Sequence, residues 1–246
     1  MANQTSKQRL TKAERKDEAR RKRVELQRKM AAGKRNRRIA IAVVVVLVAG
    51  IGAYVLTRPK PAEASPQELL AAAPQATKSA GCGQVQDVGP FQPKSQDRAH
   101  VTAAIQLSQY ASVPPASGPH NPIPLGAGVY NSPPAIDRAI HSLEHGAAIV
   151  WYSPDASSAE VDKIKAFYGG NPVGTRVIVA PYDYPDQGPA GSLPPGTQMA
   201  LVAWHHVQTC AQANAAAAFG FTSVWSAPPF TGKTYKGDAP EAGAAF

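Results

Sequence analysis

The sequence predicts an α/β (or α+β) outer domain, a mixed sheet covered by helices, carried behind a single N-terminal transmembrane helix. Three observations predict it. Short apolar runs of strand type, Ala147 to Tyr152, Arg176 to Ala180 and Met199 to Trp204, alternate with segments of helical period. Near-continuous apolar strands set between helices indicate a sheet buried on both faces. Ahead of them, Ile39 to Thr57 is an unbroken uncharged run rich in Val, Ile, Leu, Ala and Gly.

The chain of 246 residues carries 26 Lys/Arg against 17 Asp/Glu, but this charge is unevenly spread. Residues 1–38 form a basic arm with 15 of the Lys/Arg and 4 of the Asp/Glu, which leaves the remainder slightly acidic. At about 1.5 Å per residue, a helix over 39–57 spans about 30 Å, the thickness of a bilayer's hydrocarbon core. The dense arm on one side, against Arg58 and Lys60 on the other, places the N-terminus in the cytoplasm and the C-terminal domain outside the cytoplasmic membrane.

A cleaved signal peptide is the rival reading, with Ala62-Glu63-Ala64 as a small-residue cleavage site. The apolar stretch and the charged leader are both longer than such a peptide needs. A lipoprotein anchor fits less well, because Cys82 lies far beyond the apolar run and Ser79 stands where a lipobox needs an aliphatic residue. The arm meets anionic lipid headgroups, at about 1 kcal/mol per basic residue near the surface, and nucleic acid is not an expected partner.

Residues 58–80, rich in Pro, Ala, Ser and Gln, read as a linker, residues 81–225 as the extracytoplasmic domain, and residues 226–246 as a flexible tail, mobile or laid along the surface. Cys82 and Cys210 fall on the outer side, where a disulfide between them is the simplest reading. Within the domain, Pro133 or Pro134 opens a helix through about His145, with Gly146 as its C-cap. Ser157-Ser158-Ala159-Glu160 is a capping box that starts a second helix with Val161, Ile164 and Phe167 or Tyr168 inward. Two buried strands follow, separated by a loop dense in Pro, Gly and Asp, then a third helix from Ala211 to Phe219. This order resembles a thioredoxin-like core, but without a Cys-x-x-Cys it implies no redox function.

The chemistry concentrates in His141-Ser142-Leu143-Glu144-His145-Gly146. With successive residues about 100° apart, Ile136, Ala139, Ile140 and Leu143 form the core stripe, and His141 and His145 share nearly the opposite side. Two imidazoles four apart on one helical face can reach one ion. The proline-rich segment Pro114 to Pro122 delivers a third imidazole, His120, on a stiff loop, and His100 is a further outer histidine. His205 and His206 point to opposite sides of an extended strand, so at most one faces the site. Tyr130, Tyr152, Tyr182 and Trp204 read as filling a core edge.

His141-x-x-Glu144-His145 also spells the His-x-x-Glu-His of inverted zinc proteases, with Glu144 as general base. The context departs from that chemistry: Gly146 ends the helix at once, and no glutamate lies between Glu160 and Glu241 to serve as the further ligand. Glu144 is then an acceptor behind the histidines or a surface charge.

The segment from Cys82 to Trp225 resembles an uncharacterised bacterial family, domain of unknown function 3105. The likeness rests on Cys82, the Pro-Pro-x-Ser-Gly-Pro-His segment ending at His120, His141 to Gly146, and Ala203-Trp204. It implies a single membrane span and a site at His120, His141 and His145, with His100 next, and no reaction. The expectation is a membrane-anchored protein that binds Cu or Zn through its histidines. The alternatives are a non-catalytic module with structural histidines that docks another envelope protein, and a metal-dependent hydrolase.

Overall fold

A computed structural model describes residues 64–246 and, before them, residues 20–25, 29 and 43–46. The chain divides into two units, Met1–Pro61 and Ala62–Phe246. In the first, residues 20–25 are helical, and Lys29 pairs with Glu25 at 2.8 Å. The span expected at 39–57 lies outside the described residues apart from Val43 to Val46, which are helical and exposed. Among the described residues no helix is long and apolar enough to cross a membrane.

The second unit is a mixed α+β fold with a six-stranded sheet flanked by helices. Its first element, α1 (Pro66–Ser79), corrects the linker reading over those residues, and 58–63 lie outside the described residues. Ser65 accepts from the Glu68 amide at 3.3 Å while Glu68 accepts from the Ser65 amide at 2.7 Å, and Pro66 sits in the first turn. These features start a helix whatever the composition around them. Leu69, Leu70 and Ala76 join the core on one face of the sheet, where a Cβ at Gly220 would stand 2.7 Å from the Ala73 Cβ.

The strands are β1 (Gln86–Asp87), β2 (Gly128–Val129), β3 (Ala148–Tyr152), β4 (Val177–Pro181), β5 (Met199–Ala203) and β6 (His206–Cys210), in the order β1-β6-β5-β3-β4-β2. The helix α2 (Ile136–Glu144) leads into β3, and α3 (Ser158–Gly170) carries the chain from β3 to its parallel neighbour β4. β5 and β6 add as an antiparallel hairpin, and α4 (Ala215–Trp225) closes the order. Ser157 occupies the N-cap of α3 without a side-chain cap, and Glu160 pairs instead with Lys163. α4 begins later than expected because Asn214 caps it, accepting from the Ala216 and Ala217 amides at 2.9 and 3.1 Å.

Strand alternation divides the core into two layers. Ala148, Val150 and Tyr152 of β3 face α3 and α4, together with Val161, Ile164, Phe167 and Phe219. Ile149 and Trp151 face the other way, onto Ile140 and Leu143 of α2 and onto loop residues Leu107, Tyr110 and Ala116. The Cys82–Cys210 disulfide is present and ties the start of the domain to the end of β6.

The tail expected at 226–246, flexible or laid along the surface, is laid over the end of α2. Ala227 donates to Gly146 O at 2.8 Å, Glu241 to Glu144 O and Gly243 to His145 O at 3.1 Å each. The Arg176 guanidinium donates to the carbonyls of Gly243 and Ala244 at 2.9 and 2.8 Å. Backbone groups with such partners are not free to wander, despite the Pro and Gly content that suggested mobility.

Candidate metal centre

The site is built on the C-terminal turn of α2. Ala139, Ile140 and Leu143 anchor this helix to the sheet and are essentially inaccessible. Its end is a Schellman motif, with Gly146 N donating to Leu143 O and Ala147 N to Ser142 O, both at 2.9 Å. Gly146 has φ +87°, and a Cβ there would meet the Ala227 Cβ at 2.8 Å, so glycine is required twice over. The turn presents His141, Glu144 and His145 on the face away from the sheet.

That face is buried, with His141 at 4%, Glu144 at 1% and His145 at 9% exposure. The helix phase places the histidines opposite the core stripe, as expected, but a second covering turns their environment dry. One part of it is the loop from Asp97 to Asn121, where Val101 N donates to His120 O and His120 N to Ala99 O, so that His100 and His120 lie side by side. The other part is the C-terminal segment.

Each buried imidazole is oriented by one backbone carbonyl. Nδ1–H of His120 donates to Gly118 O at 2.7 Å, that of His141 to Asn121 O at 2.6 Å, and that of His145 to Ala245 O at 2.7 Å. A ring held at Nδ1 offers Nε2 inward, which is how metal-bound histidines are usually braced. Nε2 of His120 lies 2.9 Å from Glu144 Oε2, with His100 Nε2 at 3.5 Å from the same oxygen. His100 stacks on His141 with centroids 4.7 Å apart. Donor atoms of His100, His120, His141 and Glu144 all lie within 4.8 Å of one another.

Burial pushes the Glu144 carboxyl up, but hydrogen bonds and charge from His120 and Arg98 override it and bring the pKa down to about 2. Arg98 Nε reaches Glu144 Oε1 at 2.5 Å, and this contact raises the guanidinium above its ordinary value. His141 moves down, chiefly through burial and then through the neighbouring imidazoles, against the pull of Asn121 O. Glu144 is therefore held ionised against His120 and Arg98, while burial favours the neutral form of the neighbouring His141.

The family model described as "Protein of unknown function (DUF3105)" matches residues 100–234, more than half of the chain. The chain belongs to DUF3105. No curated protein and no solved structure matches it. The DUF3105 region opens at His100 and contains all four clustered residues, whereas Cys82 and Glu241 lie outside it.

Of the residues expected in the site, His100, His120 and His141 come together. His145 stands one step outward, its Nε2 2.9 Å from that of His141. Glu144, expected as an acceptor behind the histidines or a surface charge, is a central member. Its place was open to sequence reasoning, because Glu144 lies about 60° from His141 around the helix. His205 belongs elsewhere: φ +59° turns it between Asp97 and Asp238, at 2.9 and 2.8 Å. His206 packs against Trp225 with the rings tilted and their centroids 4.3 Å apart. Among the aromatic residues named from sequence, Trp204 touches the cluster, edge-on to His120 at 6.1 Å, while Tyr182 donates to Ala190 O in the core.

Proposed function

We propose that this DUF3105 protein binds a divalent transition-metal ion, zinc or Cu(II), through His100, His120, His141 and Glu144. The observation that carries the reading is the bracing of His120 and His141 at Nδ1 beside an ionised, buried carboxylate, with ligand atoms of His100, His120, His141 and Glu144 all within 4.8 Å of one another. Three imidazoles and one carboxylate suit zinc and Cu(II). Cu(I) would want a thiolate or thioether, yet the cysteines are joined and Met199 lies in the core on the opposite face of the sheet.

The ion is held outside the cytoplasmic membrane for transport, delivery or tolerance, with residues 39–57 as anchor and the basic arm on anionic lipid. The disulfide supports an oxidising compartment, and the charge asymmetry around the apolar run supports the orientation.

The test is metal analysis and competitive titration of the full chain purified without a polyhistidine tag. Stoichiometric zinc or copper, with an affinity at least about tenfold weaker in His141→Ala, is the expected result. Absence of stoichiometric metal, or a titration unchanged by that substitution, overturns the proposal.

A further inference from the structure

The geometry points to a second, outer position for the same divalent ion, formed by His145 and Glu241 and sharing His141 with the inner set, through which the ion is exchanged. This rests on the metal-binding reading above. Glu241 repeats the construction of Glu144. Each carboxylate gives Oε1 to Arg98, through Nε for Glu144 and Nη2 for Glu241, the latter at 2.7 Å. Each turns Oε2 to an imidazole Nε2, that of His120 at 2.9 Å and that of His145 at 3.4 Å. One guanidinium thus braces two carboxylate–imidazole pairs side by side.

His145 is also prepared like the inner ligands, with Nδ1–H donating to Ala245 O and Nε2 directed at His141 Nε2. Because both rings spend Nδ1 as a donor, their Nε2 atoms at 2.9 Å would be two apposed lone pairs unless a cation stands between them. A metal ion bound at the outer position removes that repulsion. Exposure is graded along the same line, with side chains at 41% for Glu241, 11% for His145, 1% for Glu144 and 0% for His120. The C-terminal segment supplies the outer carboxylate and pins it by the bond from Glu241 N to Glu144 O.

The competing route runs past His100, whose side chain is 46% exposed on the inner set itself. Stopped-flow mixing of the untagged full chain with Co(II), followed by the cobalt absorption band and then by chelator-driven release, separates the two. Glu241→Gln keeps an acceptor for Arg98 on a half-exposed residue and leaves folding intact; His145→Asn is the second variant. In both, loading and release are expected to slow by about tenfold with the equilibrium affinity unchanged, whereas His100→Ala weakens affinity itself. Wild-type rates in both variants show that the ion passes His100 and overturn the outer position. An affinity loss in His145→Asn matching that of His100→Ala makes His145 an inner ligand and overturns it equally. Failure of the wild type to bind cobalt, zinc or copper overturns the metal reading instead, so the two failures are told apart.

Discussion

Replacing Glu144 with glutamine removes a buried charge from the centre of the cluster while keeping its shape. The carboxyl falls from its ordinary 4.5 to about 2, because the hydrogen bonds and charge of His120 and Arg98 outweigh burial. At about 1.4 kcal/mol per pH unit, that depression is worth about 3 kcal/mol of folding free energy. A carboxylate with a depressed value stabilises fully above pH 4.5, and the contribution is lost as pH falls towards about 2. Urea unfolding of the chelator-treated protein, followed by Trp fluorescence across that acid range, reads it directly. Glu144→Gln should be about 3 kcal/mol less stable at neutral pH, and its curve should approach the wild type as acid removes the wild type's advantage. Parallel pH curves, or a variant as stable as wild type at neutral pH, would refute the reasoning that Glu144 is held ionised by its partners.

Three further outcomes follow from the same contacts. Zinc binding should release protons, since Nε2 of His120 faces Glu144 and that of His145 faces His141, so binding enthalpies should differ between buffers of unlike ionisation enthalpy; identical values would show those nitrogens bear none. Gly146→Ala should cost at least about 1 kcal/mol from its positive φ alone, with the contact to Ala227 adding to it, and an unchanged urea midpoint would contradict this. His205→Asn breaks the bridge between Asp97 and Asp238, so amide exchange at Glu241 and Gly243 should quicken; equal protection would mean that the segment is held by Arg98 and Arg176 without it.

The elements that bury an apolar stripe were legible in the sequence, with α2, β3, α3, β4 and β5 close to their expected bounds, because periodicity reports burial directly. β6 was missed, its burial being interrupted by His206 and Thr209. Composition misled at α1, where the proline that suggested a linker sits in a first turn after Ser65. The disulfide needed only the chain's two cysteines, both on the C-terminal side of the apolar run. Where the tail is laid could not be read, since it is held by backbone carbonyls and amides that any sequence would offer.

That last point explains why the site was half visible. A helical wheel divides residues into those facing the core and those facing away, and assigns water to the second group by default. Here the second group is covered by two aperiodic segments whose backbone carbonyls, at Gly118, Asn121 and Ala245, are the acceptors for the three Nδ1–H groups. The histidines therefore hold the loop and the tail as much as the loop and tail orient the histidines. A buried imidazole needs a partner at each nitrogen, and once Nδ1 is spent on a carbonyl, Nε2 is left facing other imidazoles and carboxylates. Packing aliphatic residues against the same loops would bury the face at lower cost. On the proposed reading, three braced imidazoles are retained beside Glu144, Glu241 and Arg98 because their Nε2 atoms have a cation to share, which is what would set a binding site apart from a structural histidine cluster.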